Sequence, residues 1–272
     1  MRIGVIAGSG QFPILFSKRV RQKGFSVYAL GLIDETNPEM QAFVDSMEWV
    51  KLGQVQKMIS YFKKNNIARA VMLGAVDKTS IFSNVEPDIK AISIVSGMDH
   101  THDDALLRAF TEVLKEDGIE ILAPTQFLPE LIATKGSWTK RIPAEDEIAD
   151  IKIGYRVSQK IGDVDIGQTV VVGGGSILAV EAIDGTNATI KRGGLLSKGQ
   201  SVVVKTSKPG QDLRFDMPAV GVQTIEIMKA AGISVLAIEA GKTVVFDREE
   251  MIGLADQLGM TIIAIDETFM VK

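Results

Sequence analysis

Apolar runs alternate with helix-like segments along the first half of the chain. Residues 3–7 form a short apolar run typical of a buried strand, and residues 11–23 carry apolar side chains at near-helical spacing. Gly24 then ends that helix, as glycine often does just past a C-terminus. Further strands are predicted at 25–32, 70–73 and 119–122, with helices at 55–64 and 105–115. This alternation predicts a Rossmann-like N-terminal domain, a parallel sheet with right-handed crossovers.

The second half is also predicted to be α/β, with a mixed sheet. Its helices are predicted at 145–161, 222–231 and 248–258, and its strands at 170–172, 177–182, 200–205, 234–238, 243–246 and 261–265. The glycines at 173–175 suit a hairpin turn between the first two of these strands. A stretch at 124–143 contains prolines and glycine without a strand period. We therefore predict an N-terminal domain at 1–135 and a C-terminal domain at 142–272 that carries the catalytic residues.

Composition narrows the class of protein. The 272 residues are 46% apolar and 24% charged, the balance of a globular chain. The 30 basic against 34 acidic residues give a net charge of −4, which offers no support for a nucleic-acid partner. The absence of cysteine excludes disulfides and thiolate chemistry. With no signal-peptide pattern and no apolar run of about 18 residues, we expect a cytoplasmic protein.

A glycine turn follows the first predicted strand. Gly8-Ser9-Gly10 resembles the start of a dinucleotide-binding turn, in which glycines let the backbone approach phosphate at a helix N-terminus. Pro13 stands where the third glycine of that fingerprint would fall, and a plain tight turn is the alternative. The chain has no P-loop motif. The turn is therefore a candidate phosphate or nucleotide contact, with both interpretations open.

Histidines and aspartates cluster directly before the helix predicted at 105–115. Imidazole and carboxylate groups at His100, His102, Asp103 and Asp104 have the types that ligate divalent ions. Aspartate is also favoured at a helix N-terminus, where it caps the helix. Helix capping is the favoured interpretation, and the roles of the two histidines stay undetermined.

Two further features of the second half carry chemistry. Glu181 lies in an otherwise apolar predicted strand, so its carboxylate should face solvent or meet a cation. The polar stretch 205–218 supplies Lys205, Lys208 and Arg214, which suit a phosphate. Carboxylates in the same stretch, Asp212 and Asp216, suit Mg²⁺. A solvated loop with mutually neutralising charges is the alternative.

Taken together, these segments resemble the UDP-2,3-diacylglucosamine pyrophosphatases of the lipid A pathway, the type unrelated to metallophosphoesterases. The matching segments, in chain order, are 6–13 (IAGSGQFP), 103–108 (DDALLR), 165–168 (DIGQ), 178–186 (LAVEAIDGT), 208–209 (KP) and 214–218 (RFDMP). They run through both halves, so the resemblance covers essentially the whole chain. Thr101-His102 and Asn187 depart from the residues common in the family.

The resemblance implies a two-domain, Mg²⁺-dependent hydrolase. Such enzymes cleave the pyrophosphate of UDP-2,3-diacylglucosamine to UMP and 2,3-diacylglucosamine 1-phosphate, with the lipid held between the domains and water attacking the sugar-side phosphorus. Asp216 matches the family's essential aspartate. We assign catalysis to Asp216 and Glu181, the metal to Asp216, and substrate contacts to Gly8, Ser9, Gly10, Asp103, Asp104, Lys208 and Arg214.

Other functions remain as alternatives to this expectation. An NAD(P)-dependent oxidoreductase would use the N-terminal glycine turn but leaves the second half unexplained. A non-catalytic protein that binds a sugar nucleotide or lipid would need no metal. A homodimer and peripheral contact with the inner membrane are compatible with the resemblance. Acyl-chain length, the full set of metal ligands and the general base are not determined by the sequence.

Overall fold

Two compact units make up the chain. The computed structural model describes residues 1–76, 86–96, 103–197, 199–215 and 217–271. One unit is Met1–Pro129 with Asp212–Asp216, and the other is Glu130–Gln211 with Met217–Lys272. The first division therefore falls at 129/130, ahead of the boundary predicted between 135 and 142. The predicted domain limits stay a prediction.

The first unit contains the predicted Rossmann-like sheet. Its strands are β1 (Arg2–Ala7), β2 (Ser26–Leu32), β3 (Ser46–Val50), β4 (Arg69–Leu73) and β5 (Glu120–Ile121), and its helices are α1 (Phe12–Gln22), α2 (Val55–Lys64), α3 (Ile89–Ser96) and α4 (Asp103–Glu116). All four strand pairs are parallel, in the order β3-β2-β1-β4-β5. This order is that of doubly wound nucleotide-binding sheets. The predicted fold class is confirmed for this unit.

Burial on both faces explains why β1 is a continuous apolar run. Residues 3–7 are all buried, as expected for a central parallel strand covered on both sides. Helix α2 turns one apolar face inward, burying Met58, Ile59 and Phe62. These side chains belong to a core cluster that also contains Leu30. The apolar face predicted for α2 therefore packs into the core on one side of this sheet.

The second unit contains a mixed sheet, as predicted, and this sheet has six strands. Its strands are β6 (Gly136–Ser137), β7 (Thr169–Gly173), β8 (Ser176–Val180), β9 (Val202–Lys205), β11 (Val235–Glu239) and β13 (Thr261–Ile265), in the order β6-β13-β11-β9-β7-β8. A separate parallel pair joins β10 (Ala219–Val220) to β12 (Val244–Val245). The helices are α5 (Glu145–Asp163), α6 (Gly185–Leu196), α7 (Val222–Ala230) and α8 (Arg248–Gln257). Strands β9, β11 and β13 run parallel, whereas β6 and β7 are antiparallel to their neighbours.

The predicted glycine hairpin is confirmed. Strands β7 and β8 pair antiparallel across Gly174 and Gly175, whose φ angles are 56° and 77°. Positive φ at both central residues is the geometry that two-residue hairpin turns favour. The amide of Gly175 donates to a carboxylate oxygen of Asp150 at 2.7 Å. Because this amide is satisfied within the chain, the glycines here build a turn rather than a phosphate cradle.

Helix α6 was not predicted from the sequence. Its segment, GTNATIKRGGLL, contains three glycines. In the structure Arg192 pairs with Asp184 and donates to the carbonyl of Val180 at 2.7 Å. The glycine pair at the end of the helix has a packing role, because a Cβ on Gly193 would lie 2.6 Å from the Val171 side chain. Tertiary packing thus overrides the turn-like composition.

Within the part of the chain that the structure describes, no helix has the length and apolar character needed to cross a bilayer.

Candidate functional site

Three strand ends meet at one edge of the second unit's sheet. Lys205 is the last residue of β9 and pairs with Thr169, the first residue of β7. Glu181 follows directly after β8, whose last residue, Val180, pairs with Val170. This edge lies at the carboxyl end of the parallel strands, where ligands of open α/β sheets usually bind.

A buried chain of hydrogen bonds links a cation to an anion at this edge. The ammonium of Lys205 donates to Thr186 Oγ1 at 3.1 Å and to the carbonyl of Ala219 at 3.1 Å. The Thr186 hydroxyl donates to Glu181 Oε1 at 2.9 Å. Glu181 and Lys205 are each only 8% exposed. Two charges of opposite sign are thus kept out of water and joined through one hydroxyl, which we call the Lys205–Thr186–Glu181 chain.

This geometry corrects the expectation for Glu181. The strand ends at Val180, so Glu181 lies just beyond it rather than within it. The carboxylate is buried, whereas the sequence predicted that it would face solvent or a cation. Its described partners are the Thr186 hydroxyl and the amide of Gln168, at 2.9 and 3.4 Å. Donors that are themselves neutral satisfy it, which lowers the cost of burying it.

Gln168, whose backbone amide donates to Glu181 Oε2, also has an unsatisfied side-chain oxygen. Its Oε1 is buried and accepts no hydrogen bond from any described residue. The neighbouring Gly167 has no room for a side chain, since a Cβ there would overlap the backbone of Glu181. Close approach of these two backbones therefore positions Gln168 beside the carboxylate. A buried amide oxygen without a donor is uncommon in a folded protein and suits a ligand or ion.

Sequence reasoning did not select Gln168 or Thr186 as site residues. Both lie in the segments 165–168 and 178–186 that carry the family resemblance. Only the pairing of β7, β8 and β9 brings these segments together. Thr186 is placed by the first turn of α6, a helix that the sequence analysis missed. The N-terminus of this 12-residue helix also favours negative charge at the site.

Two of the three cations predicted to suit a phosphate, Lys208 and Arg214, pair with carboxylates of the protein. Lys208 pairs with Asp165 at 2.6 Å. Arg214 forks onto Asp212 with bonds of 2.9 and 2.7 Å. These hydrogen bonds from Arg214 hold the pKa of the Asp212 carboxyl below its usual range. Lys208 belongs to the second unit and Arg214 to the first. Their role in substrate binding stays a prediction.

The N-terminal glycine turn uses its donors within the fold. The amide of Gly8 donates to the carbonyl of Leu73 at 2.8 Å, and the amide of Ser9 donates to that of Ala75 at 2.7 Å. The Ser9 hydroxyl donates to the same Ala75 carbonyl at 2.8 Å. A Cβ on Gly8 would overlap this carbonyl, whereas Gly10 has a φ of +90° and open space around it. Gly8 is thus explained by packing, and a nucleotide contact at this turn stays a prediction.

The remaining candidates lie at or beyond the limits of what the structure describes. Helix α4 begins at Asp103, in agreement with a helix start near Asp103 and Asp104, whose side chains are outside the description. Asp216, His100 and His102 also lie outside the described residues. Among the residues that are described, no three His, Asp or Glu side chains cluster in a way that could hold a metal ion.

Comparison with known proteins assigns the family. A model described as the LpxI N-terminal domain matches residues 2–131, and one described as the LpxI C-terminal domain matches residues 134–263. The chain is 30% identical to the UDP-2,3-diacylglucosamine pyrophosphatase LpxI of Caulobacter vibrioides, over 97% of this chain and 98% of that protein.

Similar solved structures are remote. Glycinamide-RNase-transformylase T from Mycobacterium tuberculosis aligns over 67% of this chain and 44% of its own, with a TM-score of 0.27 and 10% identity. The CobK precorrin-6A reductase aligns over 98% and 88%, with a TM-score of 0.33 and 13% identity. The family models and the relative agree over nearly the whole chain, and the protein therefore belongs to the LpxI family.

Proposed function

We propose that the protein hydrolyses the pyrophosphate bond of UDP-2,3-diacylglucosamine. Water adds to the sugar-side phosphorus, the bridging P–O bond breaks, and the products are UMP and 2,3-diacylglucosamine 1-phosphate. The named relative supports this activity, because it aligns with the chain over nearly the full length of both proteins. The structural observation that carries the proposal is the buried Lys205–Thr186–Glu181 chain at the carboxyl edge of the second sheet.

The residues of the Lys205–Thr186–Glu181 chain have the chemistry that the reaction needs. Phosphoryl transfer depends mainly on positioning and on stabilising charge at the phosphoryl oxygens. The buried Lys205 ammonium supplies positive charge in surroundings where water screens it little. The Glu181 carboxylate, fixed by Thr186 and Gln168, can orient a water molecule or accept its proton.

Magnesium dependence is a finer part of the proposal. The donor set suits this ion: Mg²⁺ prefers oxygen ligands and often uses one or two carboxylates together with substrate phosphates. Glu181 supplies a carboxylate, and Gln168 Oε1 is a buried oxygen without a partner among the described residues. Asp216, which lies outside the described residues, is proposed as a metal ligand from the family resemblance alone. When bound, the ion would neutralise phosphate charge.

One assay tests the activity and the metal together. The protein is incubated with UDP-2,3-diacylglucosamine in detergent, with Mg²⁺ or with a chelator, and UMP release is measured. We expect release with Mg²⁺ and loss of release with the chelator. Equal release under both conditions would contradict the dependence on Mg²⁺ but would still support the hydrolase activity. No release from well-folded protein in either condition would contradict the hydrolase.

Asp216→Ala tests the assignment that comes from the resemblance. We expect nearly complete loss of hydrolysis with little change in melting temperature, since loss of a metal ligand or water-orienting group costs on the order of 10²–10⁴-fold. The loss should fall on kcat more than on substrate affinity. If Asp216 served only to stabilise the fold, the variant would melt at a lower temperature and keep most of its turnover.

The remaining partner assignments are proposals as well. A cytoplasmic location, a homodimer and peripheral contact with the inner membrane agree with a substrate that carries two acyl chains. Light scattering on the purified protein tests the dimer, and its failure would leave the hydrolase proposal intact. Fractionation of cells into soluble and membrane parts tests the other two.

A further inference from the structure

A concave surface of the second unit lies apart from the residues assigned above. Helix α5 and the 3₁₀ helix at Glu267–Met270 line a cavity of about 670 Å³. This volume is within the range of small-molecule sites. None of its lining residues belongs to the Lys205–Thr186–Glu181 chain. We call it the α5 cleft.

Three cations line the α5 cleft at a spacing of four residues. Lys152, Arg156 and Lys160 follow one stripe of the helix, because residues four apart lie on the same face. Among the described residues, no carboxylate forms an ion pair with any of the three. Glu267 is the one acidic side chain among the described lining residues, so the cations of the lining outnumber it three to one. This differs from Lys208, which pairs with a carboxylate of the chain.

Tyr155 adds a hydroxyl donor to the same cleft from a largely buried side chain. Its side chain lines the cavity and is only 7% exposed. Its hydroxyl makes no hydrogen bond to any residue that the structure describes. Burial, together with the charges of Glu239, Glu267 and Asp266, raises the pKa of Tyr155 to about 12. At neutral pH the group therefore stays a phenol, whose O–H can be donated to a ligand.

Gln159 holds this part of the cleft in place. Its amide nitrogen donates to Thr206 Oγ1 at 3.0 Å and to the carbonyl of Ser207 at 3.1 Å. The Thr206 hydroxyl in turn donates to Ser158 at 3.0 Å. These buried contacts fix the helix against the end of β9. The cations and the phenol therefore project from a rigid element, as a binding site requires.

We infer that the α5 cleft binds a phosphate-bearing anion, either a free phosphate ester or the headgroup of a phospholipid. An arginine fork, two ammonium groups and a phenol O–H are the donors that phosphate oxygens accept. The inference goes beyond hydrolysis, because it assigns a second anion site to the protein.

The experiment uses the full-length protein and three probes. Inorganic phosphate and glycerol 3-phosphate are titrated at constant ionic strength while the melting temperature is followed. Vesicles of phosphatidylglycerol, with phosphatidylcholine as the neutral reference, are tested by co-sedimentation. The variants are Tyr155→Phe and the double variant Arg156→Gln/Lys160→Gln. Lys64→Gln/Lys229→Gln is the control, with the same change in net charge outside the cleft.

We expect affinity to fall at least tenfold in Arg156→Gln/Lys160→Gln, to fall less in Tyr155→Phe, and to stay unchanged in the control. Hydrolysis of detergent-solubilised substrate should stay within about twofold of wild type in all of them. Binding of the soluble probes identifies a free phosphate ester, whereas binding of phosphatidylglycerol vesicles alone identifies a headgroup.

Three results would overturn the inference. In the first, wild type binds none of the probes. In the second, the cleft variants bind them as wild type does, which would place any phosphate at the proposed active site. In the third, the control loses as much affinity as the cleft variant, which would indicate a diffuse charge effect. Because hydrolysis is measured in parallel, failure of this inference is distinguishable from failure of the proposed activity.

Discussion

The two sheets use their carboxyl edges differently. In the first unit, the turn after β1 forms its hydrogen bonds within the protein, because the amides of Gly8 and Ser9 both donate to backbone carbonyls. In the second unit the corresponding edge keeps two charged side chains, Glu181 and Lys205, buried and bridged by one hydroxyl. The first edge has the more recognisable sequence motif, whereas the second has the buried charged groups that the proposed hydrolysis uses.

The two edges differ in how their polar groups affect the stability of the fold. Glycines at a tight turn satisfy the backbone and add little strain, because glycine adopts positive φ readily. Buried ionic groups lose hydration, and the attraction between them often fails to compensate for it. Such groups are therefore enriched at functional sites. The contrast predicts that substitutions at the second edge reduce activity, and that those at the first edge reduce stability.

The largest effect is expected for Glu181→Gln. Glutamine keeps the size and one acceptor oxygen, so the 2.9 Å bond from Thr186 can persist while the charge and the weaker 3.4 Å bond from the Gln168 backbone amide are lost. We expect kcat to fall on the order of 10²–10⁴-fold with little change in melting temperature. Steady-state UMP release and thermal unfolding on one preparation measure both. Near-normal kcat would show that the buried carboxylate is structural.

Thr186 tests whether the hydroxyl bridge matters by itself. Thr186→Val keeps the shape and removes the bridge, whereas Thr186→Ser keeps a hydroxyl. A hydrogen bond to a charged group contributes about 1.5–3 kcal/mol, so Thr186→Val should lose on the order of 10–10²-fold in kcat. Thr186→Ser should stay close to wild type. Equal activity in the two variants would show that the hydroxyl bridge is not needed for the reaction.

The glycine turn provides the opposite test. Gly8→Ala places a Cβ against the carbonyl of Ala75, and overpacking of this kind costs about 1–3 kcal/mol. In Gly10→Ala the new Cβ has no atom within 4 Å. The expected loss of stability, about 1–2 kcal/mol, comes only from the backbone strain at a φ of +90°. Urea unfolding should therefore show Gly8→Ala to be no more stable than Gly10→Ala.

Activity of the same two variants sharpens the result. If the turn serves packing alone, each folded variant keeps the KM of wild type. A raised KM in Gly10→Ala, at unchanged kcat, would instead support a nucleotide contact at this turn.

The smallest effect separates two buried tyrosines, one in each unit. Burial raises the pKa of both, and that of Tyr155 to about 12, against an ordinary value of 10.0. The pKa of Tyr155 is higher in the folded than in the unfolded protein. The stability that this phenol contributes is therefore complete below pH 10 and is lost as the pH rises towards 12. Tyr155→Phe should flatten this alkaline loss, by about 1.4 kcal/mol between pH 7 and pH 11.

Tyr61→Phe is the matched variant in the first unit. The Tyr61 hydroxyl donates to Ser46 at 3.1 Å, so its loss should already cost about 0.5–1.5 kcal/mol at pH 7. Tyr155→Phe should cost little there, because its hydroxyl has no partner among the described residues. Urea unfolding at pH 7, 10 and 11 measures both effects. An alkaline slope for Tyr155→Phe equal to that of wild type would contradict the assignment to Tyr155.

Much of the fold followed from local pattern. Helix α2 and strand β13 have the bounds that periodicity predicted, because each has one clear apolar pattern and a clear end. Helix α6 was missed because Gly185, Gly193 and Gly194 are turn-like residues by local preference. Two of these glycines are explained only by neighbours distant in sequence, as a Cβ on Gly194 would lie 2.7 Å from the Cβ of Ala231.

The sequence by itself determined the fold class, the family and the identity of Glu181 as a candidate. Hydrophobic periodicity and short motifs are local, so they survive without knowledge of the fold. Only the tertiary structure decided that Gln168, Thr186 and Lys205 meet at Glu181, because the pairing of three strands brings them together. It also decided that Lys208 and Arg214 pair with carboxylates of the chain. Electrostatic partners depend on distances in space, and spacing along the chain does not specify them.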